Sequence, residues 1–154
     1  MADLEKVHIK LGLSGTYWDK RPQYRVSFNE QVIKEAQIST ESEVVEYIEF
    51  DVEYSTDTGV LKVELLNKSS EDTVQSEDKS EILKDMLLNI ISVEVDEINL
   101  EKILHSQSIY TTEDKVFWND KETTVITECL NLGWNGTWAL TWANPFYIWL
   151  LENM

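Results

Sequence analysis

The chain has 154 residues, 42% of them apolar, which is enough for a hydrophobic core without disulfide or metal staples. Against that ordinary background, 29 Asp and Glu face 13 Lys and Arg and leave a formal net charge of −16. Such a chain repels phosphate backbones and anionic lipid, so nucleic acid and membrane surfaces are poor partners for it.

The opening Met1-Ala2-Asp3-Leu4-Glu5-Lys6 lacks the basic and apolar regions of a secretory signal. No apolar run reaches the roughly 18 residues that a bilayer-spanning helix needs. Val7-His8-Ile9-Lys10-Leu11 then alternates as a half-buried strand does, and so does Tyr24-Arg25-Val26-Ser27-Phe28. Asn29-Glu30-Gln31 reads as a short turn into a partner strand over 32–38. Further strands are expected over 44–52 and 60–66, with Thr56-Asp57-Thr58-Gly59 as the turn between them. Residues 67–81 are rich in Ser, Asp, Glu and Lys and read as one long acidic loop. Ile82, Leu83, Met86, Leu87, Ile90 and Ile91 fit a helical stripe, yet the β-branched run over 87–95 favours extended backbone there. Strands are also expected over 123–130, 137–142 and 146–151, the last two separated by Ala143-Asn144-Pro145. Eight or nine short antiparallel strands with frequent turns predict an all-β fold, a sandwich or jelly roll. At most one short helix is expected, and the whole chain, 1–154, reads as a single domain.

Few residues offer catalytic chemistry. His8 lies inside an alternating strand, and His105 has no neighbouring Cys or second His, so neither shows the spacing of a zinc site. Cys129, the one cysteine, sits in an apolar stretch with no adjacent base, which predicts a buried structural thiol in a protein made in a reducing compartment. With 29 acids, no carboxylate pair stands out as the acid and base of a glycosidase. A hard cation is a better fit to the polar loop. Calcium takes six to eight oxygens, and Asp72, Glu77, Asp78, Glu81 and Asp85 lie in or beside that loop.

Aromatic residues form the other distinctive pattern. Trp134, Trp138, Trp142 and Trp149 lie in the last 21 residues with Phe146 and Tyr147, and no basic residue follows Glu122. Trp138, Leu140 and Trp142 share one strand face and are expected in the core. Trp134, Phe146 and Tyr147 are candidates for a surface that stacks on sugar rings or docks on protein. Trp18, in the turn-like Gly15-Thr16-Tyr17-Trp18-Asp19-Lys20-Arg21-Pro22, is the best exposed candidate, with Tyr17 and Arg21 beside it. Residues 41–53 hold six acids and no base, which predicts a strongly negative face that resists edge pairing.

Gly15-Thr16-Tyr17-Trp18, the Asn29-Glu30-Gln31 turn, the run from Asp85 to Asp96, and the C-terminal Gly133-Trp134-Asn135-Gly136-Thr137-Trp138 and Pro145-Phe146-Tyr147-Ile148-Trp149 together carry a resemblance. The sequence resembles small virion-associated proteins of marine T4-like bacteriophages, which in turn look like calcium-dependent xylan-binding carbohydrate-binding modules of jelly-roll type. In that family an acidic loop holds calcium and the metal coordinates sugar hydroxyls. Asp85 matches the family's aspartate ahead of its aliphatic strand, while Ile91 stands where the family has a second aspartate. The resemblance implies a non-catalytic virion structural or accessory protein, made in the host cytoplasm, that docks through aromatic surface on other virion proteins or on a second copy. The alternative is a calcium-assisted glycan-binding module that aids adsorption to a cell surface. A hydrolase of surface polysaccharide ranks last, for want of a selectable acid–base pair.

Overall fold

The computed structural model describes residues 4–153; the reading of the opening residues 1–3 lies outside them. Strand alternation in the sequence becomes two facing sheets. The first is built from β1 (Glu5–Thr16), β4 (Glu46–Tyr54), β8 (Leu87–Val95), β9 (Ile98–Asn99) and β12 (Asn131–Leu132), in the order β12-β8-β1-β4, with β9 added to β8. The second holds β2 (Gln23–Phe28), β3 (Gln31–Gln37), β5 (Thr58–Leu65), β10 (Ser108–Trp118), β11 (Lys121–Thr127) and β13 (Gly136–Ala143), in the order β11-β10-β13-β5-β2-β3. A miniature ladder of β6 (Val74–Gln75) and β7 (Ile82–Lys84) stands apart. The fold is the expected all-β sandwich, and every strand pair in it is antiparallel.

Period-two burial explains the layers. Val7, Ile9, Leu11 and Leu13 of β1 point inward and meet Tyr24, Val26, Leu61, Val63, Leu65, Trp138 and Leu140 from the opposite sheet. In β8 the pattern breaks at a bulge. Gly12 pairs with Ser92 and Leu13 with Ile90, so Ile91 is the extra residue and points out to solvent. The stripe over 82–91 is not one buried face, since Met86 and Ile90 are buried while Ile82, Leu83 and Ile91 are exposed, and the segment forms the strands β7 and β8.

Three hairpins turn on two-residue loops whose residues all have positive φ: Asn29-Glu30, Asp96-Glu97 and Asn119-Asp120. This is the backbone that matches the right-handed twist of the strands. Asn and Asp reach it at modest cost, and here they stand first in each loop.

Four expectations need correction. Residues 108–118, which carry no strand expectation in the sequence, form the eleven-residue β10. Its outward residues are mostly Thr, Glu, Asp and Lys, and of Ser108, Tyr110 and Thr112, which mark its inner face by burial, Tyr110 alone is a large apolar residue, so the apolar alternation is faint. Residues 146–151, expected as a strand, belong to the helix α2 (Phe146–Asn153). Phe146, Trp149 and Leu150 are its buried residues, spaced i, i+3, i+4, while Tyr147, Ile148 and Leu151 face out. With α1 (Glu101–Gln107), the described residues hold two α-helices and not one at most. Finally, 67–81 is no featureless loop, since it carries a 3-10 turn at Ser70–Asp72 and the β6 strand. No helix of the described residues is long and apolar enough to cross a membrane.

The outer face of the β1–β4 pair is charged as residues 41–53 predicted. Lys6 sits 3.8 Å from Glu53, and the His8 ring lies between Asp51 at 2.7 Å and Glu49 at 3.2 Å. Hydrogen bonds to Asp51 first and Glu49 second raise the pKa of His8 above its ordinary value. Elsewhere Glu46 ties down the β3–β4 connection, because its Oε1 accepts from the backbone N–H groups of Ser39 at 2.7 Å and Thr40 at 3.1 Å and from both hydroxyls. Burial pushes the Glu46 carboxyl up, but those bonds outweigh it and leave the pKa below the usual carboxylate range. Asp72 is lowered in the same way, and Asp78 is held down at about 2 by the Ser76 and Ser80 hydroxyls.

These shifts set a pH window. Carboxyls with lowered folded pKa stabilise the fold fully above their unfolded values and lose that contribution as pH falls through the folded ones. His8, with a raised folded pKa, contributes fully below about 6.5 and loses that contribution as pH rises through its folded value. Self-repulsion of the acidic chain adds to the loss on the alkaline side. The thermal midpoint should therefore peak between about pH 5 and 6.5 and fall on either side. Scanning calorimetry across pH 2 to 9 (roughly the range these groups titrate over) checks this, and Glu46→Gln should flatten the acid limb.

Candidate functional site

The sandwich carries a cleft of about 560 Å³ where the β10–β11 hairpin, the β12 edge and the 73–85 segment converge. Trp118 closes β10 and Trp134 leads into β13; both line the cleft, with ring centroids 6.4 Å apart and planes at 87°. Meeting edge to face, the two indoles form an apolar corner of the cleft. Leu87, Cys129 and Leu130 supply more apolar lining, and Thr73, Asp85, Glu128 and Asn131 bring oxygens and an amide to it. A second hollow of about 330 Å³, lined by Ser69, Ser70, Asp114 and Asn135, shares Thr73, Gly133 and Trp134 with the first. Together they make a groove running past Trp134.

Trp134 is held firmly. The Tyr110 hydroxyl donates to its carbonyl, and its own N–H donates to the Tyr110 oxygen at 2.9 Å. Burial first of all drives the Tyr110 hydroxyl far above its ordinary pKa, so it stays a neutral donor. The next residue, Asn135, clamps Lys68: its Oδ1 accepts from the Lys68 N–H at 2.7 Å and its Nδ2 donates to the Lys68 carbonyl at 2.9 Å. The indole is thus mounted on a fixed backbone, as a stacking platform requires.

Among the residues singled out from the sequence, Trp134 alone lines the groove as an aromatic wall. Tyr17, Trp18 and Arg21 cluster in the β1–β2 connection, but their polar groups are engaged. The Tyr17 hydroxyl donates to the Thr40 carbonyl at 3.0 Å, and Arg21 donates to the Ile38 and Thr40 carbonyls while lying 5.1 Å from the Tyr17 ring. Trp18 is 44% exposed, with its Nε1 on the Asp72 carbonyl and the Lys84 ammonium 4.9 Å from its ring. Phe146 was expected at the surface and is fully buried, edge-on to Trp142 at 5.3 Å. The helical spacing of α2 turns it inward. Tyr147 does face out, with its hydroxyl 2.6 Å from Asp96, and that contact raises it to about 12. Trp138 and Trp142 fill the core as expected, though the Trp138 indole N–H has no partner among the described residues.

The acids proposed for calcium do not converge. Among the described residues no group of three or more His, Cys, Asp or Glu is placed to hold a metal ion. Asp85 accepts from the Lys68 ammonium at 2.5 Å, from Thr73 Oγ1 at 2.7 Å and from the Met86 N–H at 2.8 Å. Asp72 is bonded by the Ser69 N–H at 2.7 Å and lies 3.0 Å from the Lys20 ammonium. Asp78 is occupied by Ser76 and Ser80, and Glu77 and Glu81 are exposed. A calcium ion needs six to eight oxygens around one point, whereas these acids stand apart and one oxygen each of Asp85, Asp72 and Asp78 is already held by ammonium, hydroxyl or backbone N–H groups. Displacing Lys68 from Asp85 would strand a buried charge, at a cost of about 3–5 kcal/mol. These residues do not fit the metal.

His105 lines the same cleft as Cys129, but no hydrogen bond joins the two among the described residues. The Cys129 thiol points at the Asn131 carbonyl, 3.2 Å away, and burial raises its pKa. The sequence reading missed Trp118, Lys68, Asp114 and Glu128. Trp118 had a usable signal, since Val116-Phe117-Trp118 precedes the Asn119-Asp120 turn.

No protein-family model matches the sequence, and no curated protein matches it. Solved structures do match. The structure of vCBM60 in complex with galactobiose is 12% identical, with a TM-score of 0.53 over 86% of this chain and 96% of that one. A selenomethionine form of vCBM60, described with a circular permutation that links two families of calcium-dependent carbohydrate-binding modules, is 13% identical, with a TM-score of 0.54 over 87% of this chain and 89% of that one. The chain therefore has a β-sandwich fold similar to that of a carbohydrate-binding module.

Proposed function

We propose that this chain is a non-catalytic glycan-binding module and that the groove past Trp134 is its site. The observation that carries the reading is the pair of crossed indoles, Trp118 and Trp134, set among hydroxyl, amide and carboxylate groups on a sandwich like that of vCBM60. Sugar rings have apolar C–H faces and equatorial hydroxyls, and such a groove offers an apolar wall for the one and acceptors for the other. Asp114 and Glu128 at the groove, on a chain of net charge −16, repel uronate and sialate polymers, so neutral or cationic glycans fit better.

A glycan array tests this directly. Binding of at least one neutral or amino-sugar oligomer is expected, and Trp134→Ala should weaken it roughly tenfold or more, about 1.4 kcal/mol. Trp18→Ala, outside the groove, should leave affinity within about twofold. Retention of full affinity by Trp134→Ala would remove the groove from consideration.

A second reading, a virion structural or accessory protein partnered by other virion proteins or by a second copy, draws support from exposed apolar side chains. Phe117 is 74% exposed, and Tyr147, Ile148 and Leu151 lie together on the outer face of α2. Copurification with particles from the same source tests that role.

A further inference from the structure

We infer that Lys68 is the resident cation of the groove, and that this chain organises its 67–86 segment and binds glycan without calcium. The part of the inference concerning ligand rests on the glycan-binding reading above; the part concerning the cation rests on the contacts of Lys68 alone.

Lys68 stands where three segments meet. Its side chain is only 9% exposed. The ammonium donates to Asp85 at 2.5 Å and to the Met86 carbonyl at 2.6 Å, just ahead of β8. Asp85 in turn holds Thr73, ahead of β6, through the Thr73 hydroxyl at 2.7 Å. From the other side Asn135 clamps the Lys68 backbone through both its amide atoms, next to Trp134. One positive centre thereby gathers a carboxylate and a carbonyl from a stretch with few buried apolar residues of its own. A metal ion in an oxygen-lined loop does the same work. Lys20 repeats the device on a smaller scale, 3.0 Å from the Asp72 carboxylate.

The replacement has a definite consequence. A calcium ion and an ammonium cannot share Asp85, because like charges a few ångströms apart in a poorly solvated place repel strongly. The ammonium is also tethered covalently to the chain, so it is present whatever the calcium concentration. The groove is then preformed in chelator, unlike a site that assembles on metal loading.

Three measurements on the whole chain test the inference. Calorimetric titration of chelator-treated protein with calcium chloride should give no saturable heat, and the thermal midpoint should move by less than about 2 °C between chelator and millimolar calcium. Saturable binding with a larger upward shift would overturn it. Lys68→Met keeps the apolar stem but leaves Asp85 unpaired, and it should lower the midpoint by about 6 °C or more. A variant as stable as the parent would overturn the inference, and if the variant fails to fold, the calcium titration of the parent still decides. In a glycan array, the same glycans should bind to within about twofold in calcium and in chelator. Binding in calcium alone would sink the inference and leave the glycan-binding reading standing. Silence in both conditions would remove that reading, while the calcium titration would still judge the cation.

Discussion

Trp142→Ala should destabilise the protein by about 3–5 kcal/mol, the range of the largest single truncations. The indole is fully buried between the sheets and packs on Phe28 at 5.6 Å, Phe146 at 5.3 Å and Trp149 at 6.4 Å. Its Nε1 donates to the Tyr54 hydroxyl at 2.8 Å, which donates onward to Asn144 Oδ1 at 2.9 Å. Truncation removes the side chain that joins β13 to α2 and to β4, and the rigid rings around it cannot collapse into the space. Urea denaturation would read the change as a lower midpoint, with a thermal midpoint down by about 6 °C or more. Trp18→Ala provides the contrast: with 44% of the residue exposed, its loss should stay within about 1 kcal/mol. Equal effects from the two substitutions would mean that the aromatic cluster beneath α2 is not the centre of the core.

Gly136→Ala should cost about 1–3 kcal/mol or more, although it adds a single methyl group. A Cβ there would lie 2.2 Å from the Thr111 carbonyl oxygen and 2.8 Å from Thr112 Cα. Both obstacles are backbone atoms of the β10–β13 ladder, so no side chain can rotate away and the register itself must yield. Gly133→Ala is the control. Its new methyl would meet the Leu87 Cδ2 end at 3.2 Å, which can shift, so the loss should be well under that of Gly136→Ala. Glycan affinity should fall with Gly136→Ala as well, because Asn135 and Trp134 immediately precede the strand that would move. Denaturation midpoints for the two variants, measured together, check the order.

Gly136 also shows how a correct local signal can carry the wrong reason. Asn135-Gly136 reads as a turn dipeptide, yet neither residue has positive φ, and Asn135 acts as a two-bonded clamp on Lys68. The turns that do need positive φ use Asn29-Glu30, Asp96-Glu97 and Asn119-Asp120, and of these the first alone was visible beforehand. It was visible because apolar alternation flanks it on one side at least, whereas Asn119-Asp120 follows a strand whose middle, Thr111 to Lys115, is polar throughout. The groove was half legible for the same reason. Trp134 stood out in a cluster of indoles, but Trp118 is sixteen positions away on a strand the pattern had hidden, and only the β10–β13 pairing brings the two together.

What the sequence determined by itself was the layer architecture and the charge. Side chains that alternate at a period of two must bury one face, so eight of the nine long strands and the two sheets follow from the pattern of Val, Ile, Leu and aromatic residues, β10 being the exception. The fate of the acids was decided elsewhere. Asp85 and Asp72 look like metal ligands in one dimension, since spacing records carboxylates but not the cations that reach them from seventeen residues away at Lys68 or from the β1–β2 connection at Lys20. Coulomb energy depends on distance in space and on burial, and neither is a property of the order of residues along the chain.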